Sequence, residues 1–164
     1  MLPGEEGKVT IRVNTSSYGG KKFNRHIAVY TNDPKNQTLD LTISGDVEKF
    51  VSIIPDRVRL SGYSENEIKA TVKIIPEKKY PFTVKEVKAD KGENISYTLK
   101  ENKKGDYIEY LLNIENISKK KGRYFDTITI ETDSKISPTL KIKVFGNIME
   151  KQAESSEPGD NNKG

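Results

Sequence analysis

The chain has 164 residues, of which 33% are hydrophobic and 32% charged, and a net charge of +4; this supports a modest core, in one ordinary domain or two small ones. It has no cysteine and a single histidine, His26, which excludes disulfide frameworks, thiolate chemistry and multi-histidine zinc sites. No apolar run approaches the roughly 20 residues needed to span a bilayer, and "MLPGEEGKVT" lacks the basic and apolar segments of a secretory leader, so a soluble chain is expected.

Ile, Val, Leu, Tyr and Phe supply most of the apolar residues and alanines are few, which favours strands over helices. Side chains on a strand alternate faces, so one buried face demands apolar residues at every second position. Val9, Ile11 and Val13 make the first such face, and Ile27 with Val29 the second. His26 directly precedes that second run and has no convergent partners, so it reads as an ordinary strand-edge residue. "NDPKNQ" follows: Asn and Asp accept bonds from backbone amides just downstream and proline fixes its own φ, the chemistry of a turn. Asp33 has no partner acid at a defined spacing and is read as part of that turn. Leu39, Leu41 and Ile43 make the next strand.

Beyond residue 47 come "KFVSIIP", "RVRLSG", "EIKATVKIIP", "YPFTVKEVKAD" and "NISYTLKE", with turns expected at Pro55-Asp56, Ser61-Gly62, Pro76-Glu77 and Lys91-Gly92. Short strands with such spacing predict an all-β sandwich. Three more faces then follow: Tyr110, Leu112 and Ile114; Ile128 and Ile130; Leu140, Ile142 and Val144. With Ile68, Ala70, Val72 and Ile74 these are the expected core.

Residues 9 to 47 align without gaps on residues 110 to 148, at a constant offset of 101. Ile27, Thr31, Thr38, Leu39 and Gly45 meet identical residues at Ile128, Thr132, Thr139, Leu140 and Gly146, and the alternation keeps the same register. Each copy is therefore expected to hold three strands. The offset is the size of one immunoglobulin-like domain, so the expectation is tandem immunoglobulin-like antiparallel β-sandwiches, the first incomplete at its N-terminus. Residues 1–47 would be the C-terminal strands of a truncated domain, 48–148 a complete sandwich, and 149–164 a disordered tail, since "KQAESSEPGDNNKG" is polar and aperiodic.

Two sets of polar residues invite a chemical reading. "SKKKGRY" places Lys119, Lys120, Lys121 and Arg123 in one turn, and "KENKKG" adds Lys100, Lys103 and Lys104; two such loops would make an anion-binding patch. No nucleic-acid module signature accompanies them, and the charge is too dilute for a phosphate-neutralising stripe. Catalysis would have to rest on carboxylates such as Asp126 or Glu131, which are expected on the solvent face of a strand. No catalytic, metal or cofactor residue is assigned, and no enzyme is expected.

The stretch from Leu2 to Val47, with Pro3 to Glu5, Asn14-Thr15, Gly19-Gly20, Tyr30 to Pro34 and Gly45, resembles the closing strands of an uncharacterised bacterial family of immunoglobulin-like domains, a domain of unknown function often found in exported proteins and akin to the ASH (Hydin-type) and major-sperm-protein-like sandwiches. "KATVKIIPEKKYPFTVKEVKA" and "GRYFDTITIETDSKISPTLKIKVFGNI" are similar to a divergent companion domain. The family usually has an upstream half, often with a Cys-Gly-Cys segment that has no counterpart here. The resemblance implies a non-catalytic structural or protein-interaction module, part of a longer exported or periplasmic bacterial protein, with a protein partner and no cofactor. The alternative is weak binding of an anionic polymer (cell-wall polymer, acidic glycan or nucleic acid) through the turn from Lys119 to Arg123.

Overall fold

A computed structural model describes residues 7–15, 18–105 and 107–150, and every regular element in them is a strand. The chain divides between Phe50 and Val51 into two units. The expected tail falls, from residue 151 onward, outside the described residues.

Among the described residues the second unit contains eight strands: β3 (Val51–Ile54), β4 (Arg57–Tyr63), β5 (Lys69–Pro76), β6 (Val84–Ala89), β7 (Ile95–Lys104), β8 (Tyr107–Asn116), β9 (Gly122–Thr132) and β10 (Thr139–Met149). They form two four-stranded sheets, β4-β10-β9-β6 and β3-β5-β8-β7. All neighbours are antiparallel except β10 and β4, which run parallel. The all-β sandwich expectation holds.

Alternation explains which side of each strand is inside. On β8, Tyr110, Leu112 and Ile114 are buried, while Leu111, Asn113 and Glu115 between them are partly exposed. On β10, Leu140, Ile142 and Val144 are buried and Lys141 and Lys143 are exposed. Of the expected core, only Ala70 is not buried, and Val58, Leu60, Phe82, Ile95 and Ile148 join it. Each fully buried Leu or Ile contributes about 1.5–3 kcal/mol relative to exposure. Polar groups tie the two sheets together as well: the Tyr97 hydroxyl on β7 accepts from the Ala89 amide on β6 at 3.2 Å, and the Tyr110 hydroxyl donates to the Phe82 carbonyl at 3.2 Å.

Ser61-Gly62 is not a turn but lies within β4; the chain turns after Tyr63. The glycine serves close packing, since a β-carbon at Gly62 would come to 3.0 Å from Ile68 Cδ1 and Cγ1.

The first unit holds one antiparallel pair, β1 (Lys21–Tyr30) and β2 (Thr38–Val47). Its pairing repeats that of β9 with β10 at the same offset of 101. Ile27 faces Leu41 as Ile128 faces Ile142, and Phe23 faces Gly45 as Tyr124 faces Gly146. Four bonds recur at equivalent places in the two turns. The amide of Thr31 donates to the Gln37 carbonyl as that of Thr132 does to Pro138. The Thr31 hydroxyl donates to the Asn36 carbonyl and accepts from the Asp33 amide; the Thr132 hydroxyl donates to the Ser137 carbonyl and accepts from the Ser134 amide. Asp33 Oδ1 accepts from the Lys35 amide as Ser134 Oγ does from Ile136.

The third strand expected in the first copy, over Val9, Ile11 and Val13, is absent: residues 7–15 form no strand. Their counterpart, β8, is paired on both sides, by β5 and β7. Among the described residues the first unit offers no such neighbours, and a strand exists only where its amides and carbonyls find a ladder.

Candidate functional site: the face and edge of the first hairpin

Two polar features suggested by sequence prove structural or scattered. Asp126 is not on the solvent face. It shares parity with Ile128 and Ile130, so it points inward and is only 3% exposed. Its carboxylate accepts from the amides of Gly92 at 2.9 Å, Lys91 at 3.1 Å and Thr127 at 2.8 Å. These amides satisfy both of its oxygens, so its work is to pin the β6–β7 turn to β9, where Gly92 has a φ of 70°. Glu131, of opposite parity, is exposed.

The lysines do not form one patch. Lys100 and Lys103 lie on β7, not in a loop, and Lys103 is opposite Ile108 near the start of β8. Lys119, Lys120 and Lys121 follow the other end of β8. At about 3.4 Å per residue that separation is roughly 30 Å. Lys119, Lys120, Lys121 and Arg123 are all exposed. Arg123 Nε donates to Asn147 Oδ1 at 3.4 Å, and with Lys121 it lines an open cleft also bordered by Tyr63, Met149 and Glu150. His26, on the polar face of β1, places Nδ1 3.1 Å from Thr42 Oγ1 across the pair, a surface contact with nothing further converging on it.

The hairpin of the first unit differs from its equivalent in what covers it. Ile142 is fully buried and Leu140 is 7% exposed, whereas the matching Leu41 and Leu39 are 39% and 46% exposed. Ile27, Val29 and Ile43 are partly exposed on the same face. At one end Phe23 is buried, with the Tyr18 ring edge-on at 5.2 Å. Arg25, on the apolar face at the position equivalent to Asp126, donates to the Tyr18 hydroxyl at 2.6 Å and lies 5.8 Å from the Phe23 ring. Ile11, Val13, Phe23, Arg25, Ile27 and Ile43 border an open hollow on this face. Beyond β1, the far edge of β2 pairs with no other strand among the described residues.

Alternation in the sequence marks this face but not the cluster of Tyr18, Phe23 and Arg25, for which the parity of Phe23 and Arg25 with Ile27 is the available signal. Among the described residues there is no group of three or more histidine or acidic side chains placed to hold a metal, and no helix long and apolar enough to cross a membrane.

No family model matches the chain, and no curated protein does. Among solved structures, the ASH / PapD-like domain of human CEP192 (PapD-like domain 7) is similar over 62% of this chain and 87% of that one, at 12% identity and a TM-score of 0.38. A likeness of that size adds nothing to what the strands themselves show.

Proposed function

We propose that the chain is a non-catalytic protein-interaction module that binds through the apolar face of its first hairpin. One observation carries this reading. Positions that are buried on β9 and β10 are open on β1 and β2, although the two pairs share register and turn. An apolar sheet face left in water is costly and marks an interface. The Asp126 carboxylate is buried and held on both oxygens by backbone amides, and His26 stands without convergent acids or bases, so neither supports a catalytic reading. An exported location belongs to the same proposal and rests on the sequence resemblance.

The test is a photo-crosslinking residue in place of Leu41, compared with one in place of Lys141, in the cell that makes the protein. A discrete protein adduct at position 41 and none at 141 is expected. Equal labelling at both positions would sink the reading.

A further inference from the structure

We propose that β2 accepts an additional strand, running parallel to it along Thr42 to Val47, from a protein segment that alternates apolar with basic residues. The proposal rests on the interaction reading above and specifies its geometry and the chemistry of the partner.

The protein carries its own template. The edge of β10 matching the open edge of β2 is occupied by β4, in parallel, with Lys143 opposite Arg57 and Val144 opposite Val58. Transferred by the common offset, Thr42 stands where Lys143 stands, Ile43 where Val144 stands and Gly45 where Gly146 stands. In the second unit the arriving strand contributes Val58 and Leu60 to the core, opposite Val144 and Gly146. In the first unit the matching space is open: nothing lies within 4 Å of a β-carbon built on Gly45, because Phe23 packs on Tyr18. A side chain arriving opposite Gly45 would cover Ile43.

Charge selects the other face. The polar side of β10 presents Lys141 and Lys143, whereas that of β2 presents Asp40 and Asp46. Asp40 lies opposite Ala28 and Asp46 opposite Lys22, and among the described residues neither is in an ion pair. Cations at the polar positions of the arriving strand suit this face better than they suit β10. Strand addition to a sheet edge takes its affinity from backbone bonds and its specificity from alternate side chains.

The probe is a capped peptide with the sequence of β4, Arg-Val-Arg-Leu-Ser-Gly-Tyr, added to the full chain and read by residue-resolved amide exchange. At saturating peptide, amides within Thr42 to Val47 should slow about tenfold or more, with those of β10 unchanged. A peptide of the same composition with its apolar residues made adjacent should give no slowing, and the double variant Asp40→Lys with Asp46→Lys should weaken the effect. Slowing at β10 instead would mean exchange with the resident β4 and would overturn the proposal. Protection of β2 that grows with protein concentration in the absence of peptide would overturn it in favour of a second copy. No protection at either site, with Leu41 still crosslinking to a protein, would remove strand addition and leave the interaction reading standing. Loss of both results would remove that reading too.

Discussion

The ring of Tyr124 lies directly over Gly146: a β-carbon at position 146 would overlap Cε1, Cζ and Cδ1 of that ring. The two residues are opposite each other on β9 and β10, and the absent side chain is what lets the aromatic ring lie across the strand. Gly146→Ala should therefore cost about 1–3 kcal/mol or more, since the ring is held by the Tyr124 hydroxyl donating to Asn116 Oδ1 at 2.9 Å and has to be displaced. Gly45→Ala, at the equivalent place with open space around it, should stay within about 0.5 kcal/mol. Urea denaturation of both variants measures the difference; equal costs would refute this role for the ring.

Removing the buried carboxylate is expected to loosen the turn it holds. Asp126→Ala leaves the amides of Lys91 and Gly92 without their acceptor, which should cost about 1–3 kcal/mol. Amide exchange at residues 90 to 93 should rise more than exchange in the centre of β8. Uniform acceleration across both sheets would show that the loss is not local.

Matching positions in the two hairpins should differ in weight. Ile142→Ala removes a fully buried side chain and should cost about 2–5 kcal/mol. Leu41→Ala, 39% exposed, should cost less than about 1 kcal/mol in the isolated chain. Lys141→Ala is expected to be close to neutral. Thermal unfolding of the three variants ranks them, and a Leu41 cost equal to that of Ile142 would contradict the open face.

At high pH the second unit should lose stability through Tyr124. Burial, with the Asp126 carboxylate adding to it, pushes its phenol up from 10.0 to about 12. The fold favours the neutral form, so this contribution is fully present below pH 10. It is lost as pH rises through the interval from 10 to 12, where the unfolded chain ionises first. A pH series of denaturation midpoints should show that decline, and Tyr124→Phe should flatten it.

At low pH the sign is opposite. Asp133 accepts from the hydroxyl of Thr83 at 2.6 Å and from its amide at 2.8 Å, which hold its carboxyl below the ordinary value of 3.8. Its contribution is present above that value and disappears as pH falls through the depressed one. Asp133→Asn should make the acid limb of the stability profile shallower.

Period-two alternation made most of the sheet faces legible, and the gapless repeat carried even the turn bonding of Thr31 and Thr132. The departures have identifiable physical reasons. The charge of Asp126 suggests solvent, although its parity with Ile128 points inward; two of the backbone amides that satisfy it come from a turn more than thirty residues upstream. The strand expected over Val9 to Val13 had the right pattern, but pattern supplies a face and not the neighbours that close a ladder. Lys100 and Lys103 read as a loop because charge and Asn102 disguise the end of a long strand whose partner, β8, lies beyond the turn. The open edge of β2 is of the same kind: an unmade pairing, visible only once every other pairing is known.

The place of β10 between β4 and β9 has a consequence for how the molecule comes into being. Its parallel partner β4 is near the beginning of the second unit, while β10 is its final strand, so this pairing joins segments that emerge far apart in time during synthesis. Non-local closure of this kind is slow. Until β10 is available, β4 and β9 lack the strand that lies between them, and the nascent unit must wait with its apolar faces open. The β1–β2 hairpin needs no such long-range closure: its ladder joins neighbouring segments across the short turn between Tyr30 and Thr38.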